Sequence, residues 1–340
     1  MKINIINTSK FIKLSDCVFS AAVEVSEYKN LYDKNSTVIL EKKIDDKSFV
    51  FFINNNLNIK DGDIIYSHTE AVESLFKLLK NCNLKNLILI SGQSDISVNK
   101  KLYQKKPKCI KYWFGNNINY EVNKLIPIPL GINNDYISTN PNEQDFIDFK
   151  FKNFDEKNNN IYSNFNINTR PFHRLNAYNF SIKNASTVSS FTKLNKSDFL
   201  SELNNYKFVI APFGNGLDTH RVWEAIYSNS IPIVKEHTAY NSFKELPIHF
   251  VKNFKDIDNK SLSKLKFDVD LLRLCDFNYW RDLILDYKAK LNINFIPSNK
   301  QSISVPSIEI IKKITKKTKI NSIKKSFIMF IFKIYKKITN

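Results

Sequence analysis

Short runs of β-branched and aromatic residues alternate along the chain with longer amphipathic stretches. In the first half the runs read KINII, TVIL, FVFFI, DIIY, NLILIS, KYWFG and LIPIPLGI, and in the second half IYSNFNI, YKFVIA, IPIV and IHFV. Residues 69–80 follow a helical pattern between two of these runs. Such alternation is typical of strands joined by helical crossovers, so the sequence predicts an α/β fold.

The length of 340 residues favours two domains or one large α/β domain. Residues 138–160 are polar, rich in Asn and aperiodic, which indicates a domain junction. A Pro-containing stretch, IPSNKQSISVPS, precedes a lysine-rich end and predicts a linker. The predicted organisation is therefore an N-terminal domain over 1–154, a second domain over 155–296, and a linker with a basic tail over 297–340.

The positive charge is concentrated at the end of the chain. The net charge is +18, and residues 310–340 hold ten lysines and no acid. Apolar residues recur there at spacings of three and four, at positions 320, 323, 327, 331, 334 and 338. This pattern predicts a basic amphipathic helix that binds an anionic membrane surface through residues 308–340. A helix docked on the protein body and a solvated charged end are the alternatives, and nucleic acid is not expected because no binding module is recognisable.

The cysteine spacing and the apolar runs indicate a cytoplasmic protein. The four cysteines are scattered without a CxxC spacing, which is typical of free thiols in a reducing compartment. The start, MKINIINTSKF, suggests a first strand and lacks the apolar stretch of a signal peptide. No run approaches about 20 apolar residues, so no membrane-spanning helix is expected. We therefore expect a cytoplasmic protein that lies peripherally on the inner membrane face.

The most informative segment is YKFVIAPFGNGLDTHRVWEAIYSNSIPIV, residues 206–234. A strand leads into a Gly-rich loop, the loop opens a helix capped by Asp218 or Thr219, and a second strand follows. Gly214 and Gly216 allow the backbone to approach a ligand, and the free N–H groups of the first helical turn attract an anion. This unit predicts a phosphate-binding loop.

Two charged residues of the following helix extend this prediction. Arg221 offers a forked contact to phosphate oxygens, and Glu224 lies three residues further on the same face, where it can accept hydrogen bonds from a ribose diol. The grouping suits a nucleoside diphosphate. The structural alternative is a surface pair of Arg221 and Glu224 beside a core Trp223.

The same segment resembles the donor-binding signature of exostosin-like glycosyltransferases. The shared pattern is a strand, PxGxGxDTxRxWEA, a small residue and IPIV, and the stretches LILISGQSD, IKYWFGNN, IPIPLGI, YSNFNINTRPFHR and LPIHFVKNFKDI resemble further family blocks. The likeness covers roughly residues 85–260. It implies the GT-B architecture, in which two Rossmann-like domains face a central cleft.

The resemblance implies a glycosyltransferase that moves a sugar from a nucleotide-sugar donor to a glycan or lipid-linked glycan acceptor in surface polysaccharide synthesis. It further implies inversion and no metal or other cofactor, since GT-B enzymes commonly neutralise the departing diphosphate with basic side chains and helix dipoles. Arg221 and Arg174 would bind phosphate, Arg170 less so, and Glu224 would hold the ribose. The predicted donor-binding residues are Arg174, Gly214, Asn215, Gly216, Asp218, His220, Arg221 and Glu224.

The general base is predicted at strand ends of the first domain. His68 and Glu70 follow DIIY, and Asp95 follows NLILIS, at positions where ligands gather in an α/β sheet. We take His68 and Asp95 as the catalytic candidates, with helix capping or a simple turn as the structural alternatives. Two other functions stay open: a nicotinamide-dependent oxidoreductase that uses Gly214, Gly216 and Glu236, and a non-catalytic, membrane-bound glycan-binding scaffold.

Overall fold

The computed structural model describes residues 3–44, 47–134 and 140–339, with side chains outside 39–48 and 334–339. The strands are β1 (Cys17–Glu24), β2 (Ser36–Ile44), β3 (Lys47–Asn54), β4 (Asn56–Lys60), β5 (Ile64–His68), β6 (Leu87–Gly92), β7 (Val98–Asn99), β8 (Ile110–Gly115), β9 (Ile118–Asn119), β10 (Leu125–Pro127), β11 (Asn158–Ser163), β12 (Thr187–Ser189), β13 (Tyr206–Ile210), β14 (Ile231–Lys235), β15 (His249–Val251) and β16 (Lys300–Ser304). The helices are α1 (Thr8–Leu14), α2 (Val25–Leu31), α3 (Val72–Leu79), α4 (Lys100–Tyr103), α5 (Glu143–Asp148), α6 (Pro171–Lys183), α7 (Lys196–Asn205), α8 (His220–Tyr227), α9 (Asn259–Leu262), α10 (Phe277–Asn292) and α11 (Ser307–Thr339).

The described strands form two large sheets. The first has the order β10-β8-β6-β5-β1-β3-β2, and the second has the order β12-β11-β13-β14-β15. In the first sheet β1, β5, β6, β8 and β10 run parallel, while β3 runs antiparallel to both of its neighbours. All strands of the second sheet run parallel. The predicted α/β class, with a large parallel sheet, is confirmed.

We call the first sheet with the helices packed on it the first unit, and the second sheet with α6, α7 and α8 the second unit. All six residues of β6 are buried, as expected for a central parallel strand covered on both faces. One apolar cluster runs from Ile88 and Phe114 in the first unit to Trp223 and Val234 in the second. Because this core is continuous, the two sheets are packed together and are not joined by a bare linker.

The strand predicted at KINII is wrong. Ile5 makes only an isolated antiparallel bridge with Asp276, and the Asn4 carbonyl accepts the Phe277 N–H at 2.8 Å. Ile6 is fully buried in the core that contains α10. The N-terminal peptide therefore satisfies its backbone against the start of α10, a partner 270 residues away that its own pattern does not reveal.

The chain after residue 276 differs from the predicted boundaries. Helix α10 lies within the range predicted for the second domain, yet Tyr287 packs edge-on against Tyr112 and Phe114 of β8, with ring centroids 4.5 and 5.5 Å apart. Strand β16 lies inside the predicted linker and pairs antiparallel with β4, from Lys300 opposite Lys60 onward. The end of the chain thus returns to the first unit.

Helix α11 is anchored on the first unit and then extends to the second. Ile310 and Ile314 are buried with Val72 and Phe76 of α3. Further along, Phe332 is buried, and its ring lies 5.5 Å from that of Phe172 on α6. No helix in the described ranges, α11 included, combines the length and the apolar character needed to cross a bilayer.

We expect Ile314→Ala to lower the free energy of unfolding by roughly 2–5 kcal/mol, because it removes a core side chain that is 8% exposed. Ile320 lies on the same helix but is 45% exposed, so Ile320→Ala should stay within about 0.5 kcal/mol of the wild type. Urea unfolding followed by circular dichroism measures both. Equal effects of the two substitutions would contradict the docking of α11 on the first unit.

Candidate functional site

The carboxyl ends of the parallel strands of the two sheets face each other. The glycine loop, residues 211–219, follows β13 in the second unit, and Asn117 follows β8 in the first. The strand order of the second sheet reverses between β11 and β13, because β12 lies on one side of this pair and β14 lies on the other. Ligands of open α/β sheets bind at such switch points, outside the carboxyl ends of the strands. The space beside the glycine loop is therefore the candidate binding site.

Asn117 holds the glycine loop from the opposite unit. Its Oδ1 accepts the N–H groups of Leu217 at 2.7 Å and Asp218 at 2.9 Å, while its Nδ2 donates to the Ser94 carbonyl at 2.8 Å. The residue has a left-handed backbone (φ 55°), which Asn tolerates better than most side chains. A Cβ at Gly216 would lie 2.8 Å from Asn117 Oδ1, so only glycine permits this close approach.

Asp218 makes the reciprocal contact from the second unit. Its Oδ2 accepts the Leu130 N–H of the first unit at 2.8 Å, and its Oδ1 accepts the indole N–H of Trp223 at 2.9 Å. The residue is buried, and burial raises the pKa of its carboxyl to about 7 despite these donors. Asp218 thus faces the interface of the units, where both of its carboxylate oxygens accept hydrogen bonds from the protein.

The start of helix α8 differs from the predicted capping. The helix begins at His220 with Thr219 as the N-cap residue, and no side chain caps it. Thr219 Oγ1 is buried and has no hydrogen-bond partner among the described residues. Asn117 already occupies the amides of Leu217 and Asp218, so these two are not available to an anion.

Arg221 and Glu224 lie together on α8, as their spacing predicts. The Arg221 Nε lies 3.0 Å from Glu224 Oε2, and its NH1 donates to the Asn164 carbonyl at the end of β11 at 2.6 Å. Its guanidinium also stacks over the Phe199 ring at 4.4 Å. The Glu224 side chain is only 6% exposed, so this is a buried ion pair at the switch point and not the surface pair of the alternative interpretation.

Arg174, on the first turn of α6, supports the glycine loop. Its Nε donates to the Phe213 carbonyl at 2.8 Å and its NH1 donates to the Asn166 carbonyl at 2.6 Å. Its NH2 lies 3.5 Å from the position that a Cβ would take at Gly214. Burial, together with the neighbouring Arg221 and Arg170, lowers the pKa of Arg174 to about 10.

Arg170, Arg174 and Arg221 form what we call the arginine cluster. Arg170 precedes Pro171, the first residue of α6, and burial lowers its pKa. Among the described residues the Arg170 side chain has no hydrogen bond or ion pair, and Glu224 is the one carboxylate paired with a cluster member. The sequence ranked Arg170 below Arg174, yet Arg170 is the cluster member whose whole guanidinium is available to a ligand.

His220 sits at the boundary between the units. Its Nδ1 lies 2.8 Å from the Gly131 carbonyl, which can only accept, so Nδ1 carries the proton. Burial lowers the pKa of His220, while the charges of Glu224 and Asp95 oppose that shift. Burial thus favours the neutral ring, whose Nε2 is an acceptor without a partner among the described residues.

The two base candidates have different surroundings. The Nδ1 of His68 accepts the Glu70 N–H at 3.4 Å, its ring packs edge-on against Phe51, and burial lowers its pKa to about 4. Asp95 is exposed and has no partner in the described part of the chain. The charge of Asp95 acts on both His220 and Glu70. Burial is the largest cause that raises the pKa of Glu70, and the charge of Asp95 raises it further. Asp95 thus lies within electrostatic reach of His220 at the boundary of the units, and His68 caps a turn.

A polar cavity of about 400 Å³ opens beside the carboxyl end of β1 in the first unit. It offers hydroxyls, carboxylates and an amine to a polar ligand. The lining residues are Ser9, Lys13, Glu24, Ser26, Glu27, Asn30 and Leu31.

No protein-family model matches the chain, and none of the curated proteins compared with it matches either. Function is therefore inferred from the chemistry of the cleft.

We expect the stability of the wild type to fall, relative to Asp218→Asn, as the pH rises from about 4 to about 7. The folded state keeps the Asp218 proton that the unfolded chain has released, so raising the pH favours unfolding by up to roughly 1.4 kcal/mol per pH unit. Urea unfolding at several pH values measures the difference. The same pH dependence in both proteins would show that Asp218 does not titrate in this window.

Proposed function

We propose that the protein is a glycosyltransferase of the GT-B architecture, with two Rossmann-like units that face a cleft. It moves a sugar from a nucleotide-sugar donor to a glycan or lipid-linked glycan acceptor. The observation that carries the proposal is the arginine cluster around the glycine loop at the switch point, with Glu224 as its one paired carboxylate. Excess positive charge on a preorganised loop suits a nucleoside diphosphate.

The donor would bind along the glycine loop. Arg170 and the free NH2 groups of Arg174 and Arg221 would contact the diphosphate, together with the amides that open α8. Glu224, held by Arg221, would accept hydrogen bonds from the ribose hydroxyls. Guanidinium groups would then neutralise the leaving group without a metal ion.

In the reaction the acceptor hydroxyl oxygen forms a bond with the anomeric carbon, and the bond from that carbon to the diphosphate oxygen breaks. The electron pair leaves with the nucleoside diphosphate, where the arginine cluster stabilises it. The hydroxyl attacks from the face opposite the departing diphosphate, which inverts the anomeric carbon, and its proton goes to a base in the first unit. We assign this role to Asp95, since it is exposed, has no described partner and acts electrostatically on His220.

We also propose that the polar cavity beside β1 receives the acceptor, because its hydroxyls and carboxylates match sugar hydroxyl groups. The enzyme would work in the cytoplasm, on the inner membrane face, in surface polysaccharide synthesis.

Thermal shift against UDP, GDP, ADP, CMP and NAD tests the donor site, since a ligand that binds only the folded state raises its stability. We expect one nucleoside diphosphate to raise the Tm. Arg170→Ala and Arg221→Ala should each weaken its affinity about 10- to 100-fold, because each removes a charge-assisted hydrogen bond of about 1.5–3 kcal/mol. Arg273→Ala is the matched control, as Arg273 is 57% exposed and pairs with Glu245.

A shift with NAD alone would favour the oxidoreductase, and no shift with any nucleotide would favour the scaffold. A diphosphate that binds all three variants equally would remove the arginine cluster from the donor site. Glu224→Gln provides a second test. If UDP is the nucleotide that binds, the preference for UDP over 2′-deoxy-UDP should shrink, and the same comparison applies to another base.

Asp95→Asn should reduce donor hydrolysis and sugar transfer by about 10²-fold or more, with the affinity for the nucleoside diphosphate unchanged. Release of the diphosphate from the matching nucleotide sugar measures turnover. Glu70→Gln is the control, because Glu70 is a neighbouring carboxyl that α11 partly covers. Full turnover in Asp95→Asn would exclude Asp95 as the base.

A further inference from the structure

Helix α11 carries apolar side chains on the side that faces away from the protein. Five of them recur at helical spacing and form what we call the outer stripe. Their exposed fractions lie between 40% and 63%. The outer stripe consists of Ile320, Ile323, Phe327, Phe330 and Ile331.

The opposite side of the same helix explains why the stripe faces outward. Ile314 is buried in the first unit, Lys325 Nζ lies 3.4 Å from Asn215 Oδ1 on the glycine loop, and Phe332 is buried against Phe172. These positions share one helix face and are all occupied by the protein. The outer stripe is thus left without a partner among the described residues, and contiguous exposed apolar patches of this kind mark interaction sites.

The charges around the outer stripe indicate what covers it. Lys316 precedes the stripe by one turn, and Lys319 and Lys324 flank it. These lysines are exposed and form no ion pair in the described part of the chain. Residues 310–340 contain no acidic side chain, so a negatively charged partner meets no repulsion.

We propose that the outer stripe of α11 inserts into the surface of an anionic lipid bilayer, with the flanking lysines at the headgroups. An apolar stripe bordered by lysines is the pattern of helices that lie in the membrane plane. Because the inner face of α11 touches Asn215, the bilayer then lies on the side of the molecule where α11 passes the glycine loop. That orientation brings the cleft near acceptors that are embedded in the membrane.

Flotation of the full chain with vesicles tests the proposal, and it needs no enzymatic activity. The protein should float with vesicles of equal phosphatidylcholine and phosphatidylglycerol and remain at the bottom with phosphatidylcholine alone. The triple variant Ile323→Ser, Phe327→Ser and Ile331→Ser should lower the partition coefficient at least about tenfold. Its Tm should match the wild type, since all three side chains are exposed.

Two matched controls distinguish binding through the outer stripe from non-specific hydrophobic adsorption and from an effect of net charge. Val269→Ser, Ile293→Ser and Ile296→Ser remove three exposed apolar side chains elsewhere, with exposures of 64%, 78% and 87%, and should float like the wild type. Lys316→Gln, Lys319→Gln and Lys324→Gln should weaken flotation more than Lys255→Gln, Lys264→Gln and Lys266→Gln, which lose the same charge elsewhere.

Several results would overturn the proposal. Wild-type flotation of the stripe variant would do so, as would a full chain that floats with neither vesicle. Equal losses of flotation in the two lysine variants would show that binding depends on net charge and not on the lysines beside the outer stripe. Light scattering covers the remaining case, because a dimer that the stripe variant converts to monomer, with flotation unchanged, would assign the stripe to a second copy of the chain.

Discussion

The contact between Asn117 and the glycine loop is the interaction on which the cleft depends. One amide oxygen from the first unit accepts two loop N–H groups of the second, at 2.7 and 2.9 Å. Asp218 completes the contact in the other direction by accepting the Leu130 N–H. A glycine-rich loop needs such fixing to keep one geometry, because an unpaired glycine segment would lose that geometry to conformational entropy. The same contacts join the loops at the carboxyl ends of the two sheets.

Charge is distributed unevenly across this interface. The second unit contributes the arginine cluster, in which burial first, and then the charges of Arg221 and Arg170, lower the pKa of Arg174 to about 10. The first unit contributes Asp95 and Glu70. A donor with a diphosphate would relieve the repulsion among the guanidinium groups, while Asp95 opposite would remain free to accept a proton. This polarity of the cleft supports the proposed transfer from a nucleotide sugar.

The inner face of helix α11 contacts both units, and among the described residues its outer face contacts neither. Its early turns join the core of the first unit, and its later turns reach the glycine loop and α6. Because Ile310, Ile314 and Phe332 are buried, α11 is not a solvated charged end. Docking on the body and binding a membrane, two alternatives at the level of sequence, are compatible because they use opposite sides of one helix.

The local sequence pattern was sufficient to predict those elements whose hydrophobic pattern is distinct within the element itself. Buried runs such as NLILIS became strands, and the spacing of Arg221 and Glu224 placed them on one helix face. Strand β1, whose sequence CVFSAAVE has weaker strand character, was missed, and β16 was interpreted as linker because its partner β4 lies far along the chain. Asn117, in the stretch IKYWFGNN, was seen only as part of a family block, since a strand-end Asn carries no sign of its partner.

The sequence by itself determined the α/β class, the glycine loop with its helix, the pairing of Arg221 with Glu224 and the basic character of the tail. Each of these depends on residues that are neighbours in the chain. Only the tertiary structure decided that Asp218 faces Leu130, that Asn117 holds the loop, that Arg170 is left free and that the apolar stripe of α11 points outward. These features depend on contacts between residues about 100 positions apart, such as Leu217 with Asn117, and local periodicity does not encode how two sheets meet.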